Sequence, residues 1–332
     1  MRSNFALHFK LNTHSFFMLN RRHLRIKAFQ TIYAFQQAEN PDRKHLEKSL
    51  LDSIYAVHKC YAQLLQLVLE LKDFELRDVQ DRASKYLPST DDLNAEPILQ
   101  KNNFLALLEK ENTFKELIKN YKVSWQGEDV LLRELYNKIK ADVEYQNYGK
   151  IDKPGITDDR DILNHIFKTI LFEDPLLEQF LEENYINWPV DKHSVDGMIL
   201  KSIRAYKDGG NESIDILPIT ANWEEDKEYV LELYNQTILS NDETEKYISD
   251  KTQNWDVERI AMVDTILMKM ALTELMNFNS IPVKVSMNEY IDISKEFSTP
   301  KSKGFINGIL DKILIDLKKE GKINKIGRGL IE

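Results

Sequence analysis

The sequence predicts an all-α protein, and three observations carry that expectation. Apolar residues recur at three- and four-residue spacing along most of the chain, while strand-like alternation is almost absent. Glycine (11) and proline (9) are scarce among 332 residues, whereas β-rich folds use both in their many turns. Hydrophobic content of 42% and charged content of 30% are ordinary for a globular chain, with no sign of bulk disorder.

Residues 1–17, MRSNFALHFKLNTHSFF, do not make a signal peptide. His8, Lys10, Asn12 and His14 interrupt the apolar run such a segment needs, and no small-residue cleavage site follows. They are expected to be a disordered extension, with Met18 the natural start. A first helix is predicted from about Arg21 to Ala38, with Ile26, Phe29 and Ile32 or Tyr33 facing a core. Pro41 ends that neighbourhood. A long helix follows from about Arg43 to Tyr86, its stripe formed by Leu46, Leu50, Ile54, Val57, Tyr61, Leu64, Val68 and Leu71. Pro88 to Asp92 reads as a linker. Helices are predicted near 98–121 and 127–148, a second linker over 149–161, and shorter helices near 160–173, 175–185 and 194–207. Asp208-Gly209-Gly210-Asn211 breaks the pattern. The last block predicts helices near 223–239, 242–251, 256–277, 283–297 and 301–319. In it, Thr299 suits an N-cap with Pro300 at the first helical position. Gly308 sits inside the final helix, where it costs about 1 kcal/mol relative to Ala, so a close helix–helix contact is expected there.

One internal similarity stands out. DILNHIFKTIL…NW…VDGMILKSIRAY (161–206) resembles YVLELYNQTIL…NW…VDTILMKMALTEL (229–275). Thr169-Ile170-Leu171 matches Thr237-Ile238-Leu239 at an offset of 68, as Val195-Asp196 matches Val263-Asp264 and Lys201 matches Lys269. Trp188 and Trp255 agree with a one-residue gap. A duplicated helical hairpin is one reading; chance similarity between amphipathic helices is the other.

Composition narrows the function classes. The single cysteine, Cys60, allows no disulfide within the chain and no thiolate cluster, which fits a reducing cytoplasm; it is expected to be a packed, inert thiol. No run approaches the ~18 apolar residues of a membrane span, so no membrane partner is expected. GxGxxG, GxxxxGK[ST], HExxH and GxSxG are all missing, and the seven histidines show no ligand spacing. The expectation is a non-enzymatic protein with no cofactor and no metal. Net charge is −9, yet residues 1–38 hold six Lys or Arg and no acid, and residues 301–331 hold eight bases against three acids. Basic ends on an acidic body call for a partner hypothesis, though a solvated basic tail would look the same.

Two segments supply that hypothesis. Asn20-Arg21-Arg22-His23-Leu24-Arg25-Ile26-Lys27 opens the first helix, and helical spacing groups Arg21, Arg22 and Arg25 on one face. Arginine suits RNA because its planar fork grips a phosphate bidentately or stacks on a base. The second segment, 257–313, carries two apolar stripes: Met287, Tyr290, Ile291, Ser294 and Phe297, then Ile306, Leu310, Ile313 and Leu317. Phe305 lies at a stripe edge just after Lys301 and Lys303, and suits either a core or a stacking platform for a base.

This block resembles the NusB family. The resemblance rests on Leu272-Thr273-Glu274-Leu275, Ile281-Pro282, Val285, Asn288-Glu289, Lys295 and Phe305-Ile306-Asn307-Gly308-Ile309-Leu310-Asp311-Lys312, and near the N-terminus on the arginine cluster, Ala28, Gln30 and Tyr33-Ala34-Phe35-Gln36. It covers about 20–38 and 223–317. It implies two helical bundles and a transcription antitermination factor. Such a factor binds boxA-type single-stranded RNA of ribosomal RNA operons, not DNA directly, together with the ribosomal protein NusE, RNA polymerase and other Nus factors. Carried onto this chain, the RNA surface comprises Arg21, Arg22, Arg25, Lys27, Lys301, Ser302, Lys303 and Phe305; the NusE-facing helix includes Asp264 and Lys269. Gly304 stands where the family often has lysine, and Lys303 substitutes for it. Lys301 stands where an acid is common, which favours RNA. The expected organisation is a NusB-like helix over 18–40, an inserted helical region over 41–222 with a partial repeat at 161–206, a NusB-like bundle over 223–320 and a basic tail over 321–332. The alternatives are a helical scaffold or ribosome-assembly protein without boxA specificity, and an RNA methyltransferase. The latter is disfavoured because the block ends only ~15–20 residues before the last residue, short of a catalytic domain.

Overall fold

A computed structural model describes residues 18–206, 214–252 and 261–330. The expected extension over 1–17, the break at 208–211, Trp255 and the first residues of the helix predicted from 256 lie outside the described residues. Those that are described are mostly helical, with no strand among them.

The helices are α1 (Arg21–Gln37), α2 (Arg43–Ala83), α3 (Thr90–Leu93), α4 (Asn103–Lys110), α5 (Asn112–Tyr121), α6 (Asp129–Ala141), α7 (Val143–Gly149), α8 (Ile156–His165), α9 (Pro175–Asn184), α10 (Trp188–Ala205), α11 (Trp223–Leu239), α12 (Asn241–Thr252), α13 (Met262–Asn277), α14 (Val283–Phe297) and α15 (Ser302–Lys319). Several predicted helices are divided by extended residues. The one near 98–121 turns at Glu111 (φ −65°, ψ 119°), which ends α4 and caps α5. The one near 127–148 turns at Asp142, whose carboxylate accepts the Tyr145 N–H at 3.0 Å and starts α7. Neither position carries glycine or proline, so periodicity alone runs through both. The predicted linkers are shorter than expected. Ser89 and Asp92 form a capping box for α3, and α7 continues through Gly149, where a Cβ would meet Ile98 Cδ1 at 2.6 Å.

The chain divides into two compact units, one of residues 59–217 and one joining 19–58 to 218 onward. The division falls inside α2, between His58 and Lys59, rather than at Pro41. An unbroken helix gives the sequence no mark there. Residues 43–58 belong with the terminal unit: the Tyr234 hydroxyl donates to the Arg43 carbonyl (3.1 Å), Asn235 to Glu47 (2.7 Å), and Tyr55 packs edge-on against Trp223.

In the middle unit the second half of α2 supplies a buried wall of Tyr61, Leu64, Leu65, Val68 and Leu71. Cys60 is packed there, and burial pushes its thiol well up, with Asp191 and Asp196 adding to the effect; it is the inert thiol expected. α8 continues as a π-helical turn over Ile166–Leu171, and α9 starts on Asp174 and Pro175, a capped N-terminus with proline at N1.

In the terminal unit α13 is the central helix. It is buried from Ile266 to Leu275, as an all-round apolar sequence should be, and packs against α1, α11, α12, α14 and α15. Ile26, Phe29 and Ile32 of α1 are buried, whereas Tyr33 is 39% exposed, so Ile32 takes the core position. Ile306, Leu310, Ile313 and Leu317 of α15 are buried as predicted. Gly308 makes no close helix contact: a Cβ there would have nothing within 4 Å. Past α15 the chain folds back rather than trailing as a basic tail. The Lys325 ammonium donates to the carbonyls of Phe278 (2.9 Å) and Glu274 (3.3 Å) at the α13 C-terminus, where a cation suits the helix dipole. The Ile326 N–H donates to the Asn279 carbonyl at 3.0 Å.

Candidate nucleic-acid interface

The first half of the candidate site is the start of α1. Asn20 caps it, its side chain accepting the N–H groups of Arg22 (2.9 Å) and His23 (3.2 Å). The Asn20 N–H donates back to His23 Nδ1 at 3.2 Å, so a histidine closes the capping box. Burial, then the charges of Arg22 and Lys27, depress His23 to about 4, which keeps the ring neutral and able to accept.

The three arginines part company. Arg25 is 3% exposed and forms a bidentate pair with Glu274 (2.7 and 2.8 Å) beneath the rings of Tyr229 and Tyr290. Glu274 also accepts from Tyr229 (2.7 Å), Tyr290 (3.0 Å) and Ser286 (2.7 Å). Burial alone would raise this carboxyl, but Arg25 and the hydroxyl donors hold it below its usual value. Arg25 is therefore an internal joint between α1 and α13, not a surface contact. Lys27, 2% exposed, is also buried. Arg21 and Arg22 keep about a third of their side chains exposed. Arg21 pairs with Glu225 (2.5 Å) and Asp226 (3.2 Å) and lies over the Tyr229 ring. Arg22 pairs with Glu289 (2.9 Å) and Asp292 (3.1 Å) on α14.

The second half is the turn from α14 into α15. Ser298, Thr299 and Pro300 lead into a helix that starts at Ser302, not at Pro300, and the Thr299 hydroxyl meets Ser302 Oγ (2.8 Å) rather than a backbone N–H. Ser302 is 2% exposed, so this expected RNA contact points inward. Its neighbours Lys301, Lys303 and Gly304 are exposed, and Phe305 is half-buried. Gly304 and Gly308, one turn apart, both leave open space beside the backbone. From Asp292, the partner of Arg22, to Ser298 is about 9 Å along α14 at 1.5 Å per residue.

The two expected partner contacts are buried as well. Asp264 (5% exposed) accepts the Ser298 hydroxyl at 2.5 Å. Lys269 (6%) donates to Asn241 (2.8 Å) and pairs with Glu245 (2.6 Å). Sequence reasoning missed the acids that hold the arginines, Glu225, Asp226, Glu274, Glu289 and Asp292. Glu274 and Glu289 stood within the quoted motifs; nothing local marked the other three. Among the described residues no cluster of His, Cys, Asp and Glu is placed to hold a metal ion, and no helix is long and apolar enough to cross a membrane.

An α13–α15 block braced on a buried Arg–Glu pair, with lysines at the last helix start, defines a class of all-helical protein. Residues 205–314 match the model of the NusB family. The transcription antitermination protein NusB of Salinibacter ruber is 43% identical over 105 residues, 32% of this chain and 66% of that protein. The protein of the same name from Chloroherpeton thalassium is 37% identical over 106 residues, 32% of this chain and 50% of that one. That of Natranaerobius thermophilus is 33% identical over 120 residues, 35% of this chain and 86% of its own. This chain belongs to the NusB family, as an extended variant longer than these relatives. The match spans half to two thirds of the first two relatives. No solved structure matches the chain.

Proposed function

We propose that this protein is a transcription antitermination factor that binds boxA-type single-stranded RNA together with NusE, RNA polymerase and other Nus factors. The observation that carries the reading is the exposed turn of Lys301, Lys303 and Gly304 beside half-buried Phe305, in a chain whose relatives bear the antitermination name. The lysines supply phosphate contacts, Phe305 a ring edge for stacking, and the open backbone at Gly304 and Gly308 lets a strand approach closely. Arg21 and Arg22 extend the surface, exchanging carboxylate partners for phosphates. Arg25, Lys27, Ser302, Asp264 and Lys269 act from inside, shaping the RNA surface and the NusE-facing end of α13. The protein does this by binding alone, without catalysis.

Fluorescence anisotropy tests the reading with a short boxA-type RNA and a scrambled control, with and without NusE. The wild type should prefer boxA, more strongly with NusE. Removing Arg21, Arg22, Lys301 and Lys303 together should flatten the log–log salt dependence by about 3, at roughly 0.7 per phosphate contact. Retained NusE binding with no RNA preference would favour the scaffold alternative.

A further inference from the structure

We infer that Asp264 is a positioning residue for RNA, holding the Lys301–Phe305 turn in its binding shape through a one-way chain of hydroxyl groups. The inference rests on the RNA-binding reading above. Four side chains lie in sequence: Thr299 Oγ1 to Ser302 Oγ at 2.8 Å, Ser302 Oγ to Ser298 Oγ at 2.9 Å, and Ser298 Oγ to Asp264 Oδ1 at 2.5 Å. Proton counting sets the direction. A carboxylate only accepts, so Ser298 must give its single proton to Asp264. Ser298 then accepts from Ser302, and Ser302, its own proton committed, accepts from Thr299. Every hydroxyl donates once, and the chain terminates on the anion, where a charge-assisted bond is strongest.

Asp264 is 5% exposed and Ser302 2%, so water does not readily replace either partner. The backbone follows the same path: the Ser302 N–H donates to Thr299 (2.9 Å) and the Phe305 N–H to Lys301 (3.2 Å). Because Ser302 is drawn inward, Lys301 and Lys303 on either side of it are turned outward. Ser298, Thr299 and Ser302 thus form a latch between central helix α13 and the start of α15. Two residues expected to touch partners directly, Asp264 and Ser302, serve instead to present those that do.

Asp264→Ala and Ser298→Ala should each weaken boxA-type RNA binding by about tenfold. Asp264→Asn, which keeps an acceptor oxygen for Ser298, should bind within about twofold of wild type. Adding Asp264→Ala to a Lys301→Ala/Lys303→Ala/Phe305→Ala protein should cause no further loss, because the latch acts only through the turn it holds. Hydrogen exchange without RNA should show faster amides over 299–305 in Asp264→Ala and unchanged amides in α11. Normal RNA affinity in a folded Asp264→Ala or Ser298→Ala protein would overturn the inference, as would an additive loss in the background lacking Lys301, Lys303 and Phe305. Unchanged exchange over 299–305 would also overturn it. A wild-type protein that binds no RNA would instead remove the parent reading, and the positioning role with it.

Discussion

The middle and terminal units each contain a pair of helices that fall at similar positions when offset by 68 residues. α8 with its π-helical continuation covers 156–171 against 223–239 for α11, and α9 covers 175–184 against 241–252 for α12. The helix positions are similar; the polar interiors are not. Asp264 has its serine, whereas Oδ1 of the equivalent Asp196 is buried with no hydrogen-bond partner. Burial pushes the Asp196 carboxyl up to about 7, Lys192 offsetting part of the effect and Glu178 and Glu173 adding to it. Lys269 rests on Asn241 and Glu245, whose counterparts are Glu173 and Leu177. Glu274, the hub of the terminal unit, corresponds to Tyr206, which packs edge-on against Phe104. Helical frames tolerate such exchange because apolar spacing alone sustains them. A buried carboxylate does not, because its partners come from other elements.

Substitutions can break or sharpen this contrast. The largest effect is expected at its hub. Glu274→Ala removes the bidentate partner of buried Arg25, leaving it only a longer contact with Glu289 at 3.6 Å, and should cost about 3–5 kcal/mol in denaturant unfolding. Tyr206→Ala, at the corresponding half-buried position, strands no charge and should cost clearly less; equal costs would dissolve the contrast. Next comes Asp196→Asn, expected to stabilise the middle unit by about 1–3 kcal/mol at pH 7, the scale of an unsatisfied buried group. The same change at Asp264 should not stabilise. A pH series separates the units further. Asp196 has a raised folded pKa, so its contribution favours the folded state at low pH and is lost as pH rises from about 4 to 7. His23 has a depressed one, about 4 against 6.5 unfolded, so stability linked to it is lost as pH falls through that window. Hydrogen exchange resolved by segment should show opposite slopes in the two units, and His23→Gln should flatten the terminal one. The smallest effect belongs to Gly308→Ala. With open space around it, added helix propensity should raise stability by about 0.5–1 kcal/mol in thermal unfolding. Lower stability would mean the position is packed after all.

Helix identity was legible because 3.6-residue periodicity is local. Breaks at Glu111 and Asp142 were not, since any residue can take an extended conformation without a sequence mark. Within the site, Lys301 and Lys303 could be read as exposed from their charge. Arg25 could not be read as buried. Its spacing from Arg21 and Arg22 fits a shared face, and the carboxylate that internalises it lies 249 residues away. The burial of Ser302 and Asp264 was hidden for the same reason, that a polar residue's packing depends on partners that sequence spacing does not reveal.

That 249-residue separation also bears on the order in which the molecule can be made. A ribosome releasing about 5–20 residues per second exposes Arg25 roughly 10–50 seconds before Glu274 exists. All of residues 59–217 emerge in that interval and can complete their own core, while α1 waits as an unfinished element carrying a cation with nowhere to be buried. Helix α1 can thus settle only once α13 has emerged, well after its own synthesis.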